Sequence, residues 1–315
     1  MKKSWILLIL IILAVSGCVS SRYPHVNLHS EGNEATARGD YSAAVSYYKR
    51  ATELAPQKGL YILSLCKAYY KNRQYQEAVD ACKKALNHYH QQYPGSVGER
   101  DSWSHIVAAY DKLGQIDSAI SSQKRYIELT PNHSDSFAVL SRLYIDNKQY
   151  DEAITAAKRA IELKPDNAVA YNNLGAAYGR KKQYNEAIKA FKKSIEINPK
   201  DENAYDWMGH FFTEQNAYNE ATEAYKKAIE LQPANINYLI SLANTYRVMG
   251  KYDDAIAAAN KAIELQTFTG IGINYAIESG YPVVKGVMEA GPAKKAGIQI
   301  GDKIIRIDGK STKGW

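Results

Sequence analysis

Three cysteines in 315 residues are too few to staple a chain of this length, which excludes a disulfide scaffold. Phenylalanine is scarce, at 5, while tyrosine reaches 25 and needs an explanation. Past the first few residues no apolar run is long enough to span a bilayer, so a multi-span membrane protein is excluded. No long stretch carries charge of one sign. Of the net +7, residues 1–24 hold +3 and residues 266–315 another +3, leaving +1 for everything between. Without a basic stripe to track phosphates, nucleic acid is not an expected partner. Charged residues at 23% and hydrophobic residues at 45% exclude a disordered or fibrous chain, and the length suggests about two domains. Catalytic signatures are also missing: there is no Gly-x-Ser-x-Gly elbow, no His-Glu-x-x-His helix and no glycine-rich phosphate loop. His88-Tyr89-His90 has no carboxylate or third histidine at ligand spacing. The sequence therefore predicts no metal, no cofactor and no enzymatic activity.

The amino terminus is the first positive feature. Lys2 and Lys3 precede an apolar run from Trp5 to Val15, whose 11 residues fall short of a spanning helix and suit the core of a secretory signal. Ala14-Val15-Ser16-Gly17 then leads into Cys18. This run resembles a bacterial lipobox, with Val15 where leucine is usual. The resemblance implies a signal peptide over 1–17, cleavage before Cys18, acylation of Cys18 and a short linker over 18–24. Two or more acyl chains anchor a protein stably. The expected location is the bacterial cell envelope, facing the periplasm or the exterior. Val19 after the cysteine favours the outer membrane in an organism that has one.

Self-similarity dominates the rest. Pro131, Pro165, Pro199 and Pro233 recur every 34 residues, and Pro56 joins them once a seven-residue insertion, 93–99, is removed. Seven units follow, at 25–58, 59–92, 100–133, 134–167, 168–201, 202–235 and 236–269. Position 20 of every unit is alanine, from Ala44 to Ala255, position 11 is aromatic in six units, and position 17 is tyrosine in six. The repeated aromatics account for the tyrosine excess. Each unit reads as two helices with a break at positions 14–16, small residues at positions 8 and 20 for close approach, and Pro at 32 to stop the second helix. Such a unit cannot bury its apolar face alone, so stacking builds the core. Cys66 and Cys82 sit at positions 8 and 24 of the second unit, facing each other. The packing accounts for them as small buried thiols, and export would allow them to pair.

The period and these positions resemble the tetratricopeptide repeat family. The resemblance implies a mostly α fold, a superhelical α-α solenoid of about seven repeats whose inner surface binds peptides or proteins. Positions 2, 5, 9, 12 and 13 of first helices line that surface in the family. Here they hold Arg142, Asn172, Arg180, His210, Asn244 and Arg247, beside Asp135, Asp146, Asp206 and Glu214. The Lys and Asn pair that grips acidic chaperone tails is absent.

Past Gln266 the pattern turns β-like from Phe268. Tyr281–Val287 and Ile304–Ile307 read as strands, and Asp308-Gly309 as a hairpin turn. Gly291 to Gly309 reads G-P-A-x-x-A-G-I-x-x-G-D-x-I-x-x-I-x-G, which resembles a bacterial PDZ domain over 268–315. The resemblance implies strand addition of a partner's carboxyl terminus, with Gly270, Ile271, Gly272 and Ile273 as the carboxylate loop. Such a domain needs about thirty residues after Gly309, so a truncated module with a poorly ordered end that binds peptide weakly or not at all is expected.

The expected function is a lipid-anchored scaffold that binds proteins or peptides. The alternative is the substrate-recruiting front of a larger envelope protease with its catalytic domain elsewhere.

Overall fold

The computed structural model describes residues 24–271, 273–278, 281–287, 298–299, 301–303, 306–307 and 310–311. The lipobox with Cys18, and Gly272, lie outside the described residues. The chain divides into two units, one up to Lys181 and one from Lys182.

The first unit contains α1 (Pro24–Ala37), α2 (Tyr41–Leu54), α3 (Gly59–Lys71), α4 (Tyr75–Gln92), α5 (Val97–Lys112), α6 (Ile116–Leu129), α7 (Ser134–Asp146), α8 (Tyr150–Leu163) and α9 (Ala168–Arg180). The second contains α10 (Tyr184–Ile197), α11 (Glu202–Glu214), α12 (Tyr218–Leu231), α13 (Ile236–Val248) and α14 (Tyr252–Ile271), then β1 (Ile273–Glu278), β2 (Tyr281–Val287), β3 (Arg306–Ile307) and β4 (Lys310–Ser311). The fold is thus mostly α, a solenoid of paired helices followed by a short β-rich segment. Among the described residues no helix is long and apolar enough to cross a membrane.

Two sequence devices set the helix lengths. Where position 32 is proline, the second helix is 14 residues long and stops two residues earlier, as in α2, α6, α8, α10 and α12. The residue before the proline has already left helical geometry, with ψ at 66° for Ala55 and 53° for Thr130. The two second helices without that proline have His90 or Thr267 there and run on, α4 to 18 residues and α14 to 20. The β-like run expected from Phe268 is corrected accordingly: nothing breaks the helix before Ile271. In the same way α4 runs to the very end of its unit and α5 takes in the last three residues of the insertion, leaving 93–96 as loop.

The second device is the turn inside each repeat. Position 15 is left-handed in all seven, with φ of 77° at Gly39, 62° at Arg73, 70° at Gly114, 61° at Lys148, 59° at Lys182, 58° at Asn216 and 74° at Gly250. In six of the seven the following N–H reaches back to the carbonyl of position 11, as Gln115 does to Tyr110 at 2.9 Å and Gln149 to Tyr144 at 2.8 Å. This closes the first helix with a Schellman-type cap.

Packing inside a repeat depends on size matching between positions 8 and 24. A Cβ on Gly32 would lie 2.5 Å from the Tyr48 ring, and one on Gly209 2.7 Å from Tyr225. The second repeat places two cysteines at these positions. Cys66 and Cys82 are joined as a disulfide, with Cα atoms 5.1 Å apart. Of the two states the sequence leaves open, the bonded one is present: the same close approach that seats a ring on glycine brings two thiols into bonding range. The alanines at position 20 are fully buried from Ala44 to Ala221.

In the β-rich segment β1 and β2 pair antiparallel, with a register shift between Asn274 and Tyr275. Val284 donates to the Asp302 carbonyl at 2.8 Å, and Gly301 donates to the Val284 carbonyl at 2.8 Å. β3 and β4 pair antiparallel, Arg306 with Ser311 and Ile307 with Lys310, and the hairpin turn expected at Asp308-Gly309 lies outside the described residues.

Candidate functional site

The inner face is built from the first helices, and in the first unit much of its polarity joins neighbouring repeats. Lys67 meets Asp101 at 2.7 Å. His29 Nε2 lies 3.0 Å from Ser64 Oγ, and Asn173 donates to the Ala138 carbonyl at 2.8 Å. Arg142 is held by two carboxylates, Asp111 of the preceding repeat at 2.9 Å and Asp146 one turn on at 2.7 Å. A guanidinium fixed in this way keeps N–H groups for a carbonyl, while the two carboxylates more than offset its charge.

Arg142 borders a cleft of about 330 Å³ between α5, α6 and α7. Val107, Ala108 and Val139 form apolar wall, and Tyr126, His133 and Asp135 supply polar groups at its edge. Its floor departs from the repeat. Position 24 carries Gln123 where other units have tyrosine, phenylalanine, cysteine or alanine. Gln123 is buried and donates to the Ser136 carbonyl at 2.7 Å. Larger clefts lie on the outer side, of about 600 Å³ over α3 and about 680 Å³ over α7. They recur at the same repeat positions, including 4, 7 and 11, so they express the general packing. The α5–α7 cleft is where the side chains depart from the pattern.

The other groove residues named from the sequence are distributed over both units. Asn172 is half-buried and Arg180 exposed on α9. In the second unit His210, Asn244 and Arg247 are exposed on α11 and α13. His210 packs at 5.4 Å from Phe211, and Trp207 stacks on Phe211 at 5.6 Å. Asp206 lies in this neighbourhood. Partial burial pushes its carboxyl above the ordinary carboxylate range, and His210 pulls it back. In the first unit burial likewise lowers His105, opposed by its ring N–H bond to the Asp101 carbonyl and reinforced by Lys67. Of the histidine pair beside the insertion, His90 meets the buried Glu99 at 2.8 Å and His88 packs edge-on against Tyr89. Of the carboxylate loop, Gly270 and Ile271 end α14, and Ile273 opens β1.

Gln123, Tyr126 and His133 escape sequence reasoning because they lie on a second helix and the loop after it, outside the first-helix positions that line the groove in the family. The signal was present in Gln123, a polar residue at a position that is otherwise apolar.

Comparison with known proteins agrees with this architecture. The tetratricopeptide repeat family matches residues 35–95, 101–133, 168–201 and 236–268, and a related repeat description matches 142–182 and 209–247. A PDZ domain is matched over 262–315. Protein bimA of Emericella nidulans is 25% identical over 103 residues, which is 33% of this chain and 12% of that protein. The chain therefore spans only a small part of that curated relative. A tetratricopeptide repeat protein from Parabacteroides merdae superposes with a TM-score of 0.61 at 16% identity, over 76% of this chain and 93% of that one. The C-terminal part of a repeat-containing protein from Cytophaga hutchinsonii gives 0.60 at 16% identity, over 75% and 94%. At such identity the likeness concerns fold alone.

Proposed function

Since the chain is a tetratricopeptide repeat protein with a C-terminal PDZ domain, we propose that it is a lipid-anchored scaffold of the bacterial envelope. The two modules support a protein-interaction adaptor. The observation that carries the finer reading is the α5–α7 cleft, with apolar walls and Arg142 held at its edge by Asp111 and Asp146. It suits an extended peptide segment, whose carbonyls accept from Arg142 while a small apolar side chain enters between Val107 and Val139. The PDZ module takes a second chain's carboxyl end beside the start of β1, at Ile273. Cys18 carries the acyl chains that hold the assembly at the membrane, on its periplasmic or exterior side.

Selection of a displayed library of extended peptides on the full chain tests the groove. Arg142→Ala and Val139→Glu should each weaken the selected peptides by about tenfold or more. Peptides indifferent to both would place binding elsewhere. The anchor is tested by the intact mass of protein extracted from its own membranes. Acyl chains on a polypeptide starting at Cys18, lost in Cys18→Ala, are the expected result.

A further inference from the structure

The last repeat leaves uncovered a surface that earlier repeats bury. At position 21, Val79, Ile120, Ile154, Ile188 and Thr222 are 0–9% exposed, whereas Ile256 is 59% exposed. The same holds at position 17, where the other five tyrosines are half-buried and Tyr252 is 66% exposed, and at position 28, where Ile263 is 56% exposed. With Ala259 these residues follow one stripe of α14, spaced 4, 3 and 4 residues apart.

What covers this stripe elsewhere is visible within the chain. Ala170, at position 3 of its first helix, packs with Ala160 and Ile161 of the preceding second helix. Leu242 and Tyr246, at positions 7 and 11, pack with Ala221, Tyr225 and Ile229. Ala109 and Leu113, at positions 10 and 14, pack with Val79. Three junctions add a polar latch between position 14 and position 18 of the preceding repeat. Asn147 donates to Asp117 at 2.9 Å, Lys181 to Asp151, and Gln215 to Asn185 at 2.8 Å. On α14 position 18 is Asp253, an exposed carboxylate.

We propose that α14 is a docking surface for an amphipathic helix of a partner protein. That helix carries small or branched apolar residues at i, i+4 and i+7, an aromatic at i+8 and a lysine, asparagine or glutamine at i+11. The surface continues an interface the chain makes repeatedly within itself, and Asp253 supplies the charge complement. The first helix of a second copy does not fit. Glu31 and Glu34 stand at positions 7 and 10 of α1, so its outer side is polar. This surface is independent of the inner groove.

The test uses a fluorescent synthetic peptide of residues 165–183, which carries Ala170, Leu174, Ala177, Tyr178 and Lys181 at the required spacing. Its anisotropy is titrated with the full chain. Ile256→Glu should weaken binding about tenfold or more, with unchanged circular dichroism, and Leu174→Glu in the peptide should do the same. Asp253→Ala should weaken the native peptide but not one carrying Lys181→Met. Arg142→Ala should leave binding unchanged. No binding, or binding indifferent to Ile256→Glu, overturns the proposal. So does a dimer of the full chain that Ile256→Glu dissociates, since a second copy would then be the occupant.

Discussion

Arg142 and Asp111 join two successive repeats by hydrogen bonds of 2.9 and 3.3 Å on the inner face. The Arg142 side chain stays 42% exposed, and a pair so wet contributes about 0.2–1 kcal/mol. Arg142→Ala is therefore expected to lower unfolding stability by less than about 1 kcal/mol. Loss of peptide capture with so small a change in denaturation midpoint would assign Arg142 to recognition rather than to folding.

Lys148 occupies the left-handed turn between α7 and α8 with φ of 61°. Left-handed geometry costs a side-chain-bearing residue roughly 1–2 kcal/mol, while glycine adds unfolded-state entropy. Lys148→Gly should therefore stabilise the chain by about 0.5–1 kcal/mol, read from urea denaturation. Gly39, Gly114 and Gly250 already use this solution at the equivalent position.

Ala221 is fully buried, in a cluster with Tyr225 and Leu242. Ala221→Leu adds volume where two helices meet and should cost roughly 1–3 kcal/mol. An unchanged thermal midpoint would mean that the repeat register is wrong.

Reduction of Cys66–Cys82 opens a loop of 16 residues' separation. In the chain-entropy model such a closure stabilises by about 3 kcal/mol, so a reductant should lower the midpoint, and Cys82→Ala should remove that sensitivity.

His105 resists protonation in the fold because it is buried, and its ordinary value is 6.5. Above that pH both states are neutral and stability is intact. As pH falls below it, the unfolded chain takes up the proton first and stability declines until the folded ring also titrates. His105→Asn, which keeps a donor for the Asp101 carbonyl, should flatten the loss between about pH 7 and pH 5.

The repeat architecture was legible because its determinants are local and recur: alanine at position 20, an aromatic at 11, proline at 32. Even the exceptions were encoded, since His90 and Thr267 mark the two long helices. The site was less legible. Whether Arg142 is paired depends on Asp111, 31 residues away, and whether Gln123 lines a cleft depends on which neighbour covers it. Periodicity gives a residue's position within a unit but not its partner in the next. The Cys66–Cys82 bond was undecided for the same reason: spacing set the two thiols opposite each other, and only the approach distance joins them.

The most direct test of the scaffold reading is photocrosslinking in cells. The full chain would carry benzoylphenylalanine either at Val139, in the α5–α7 cleft, or at Lys158, on the outer side. The account expects discrete adducts from Val139 that vanish in Arg142→Ala, and none of the same size from Lys158. Equal adducts from both positions, or adducts that survive Arg142→Ala, would contradict it.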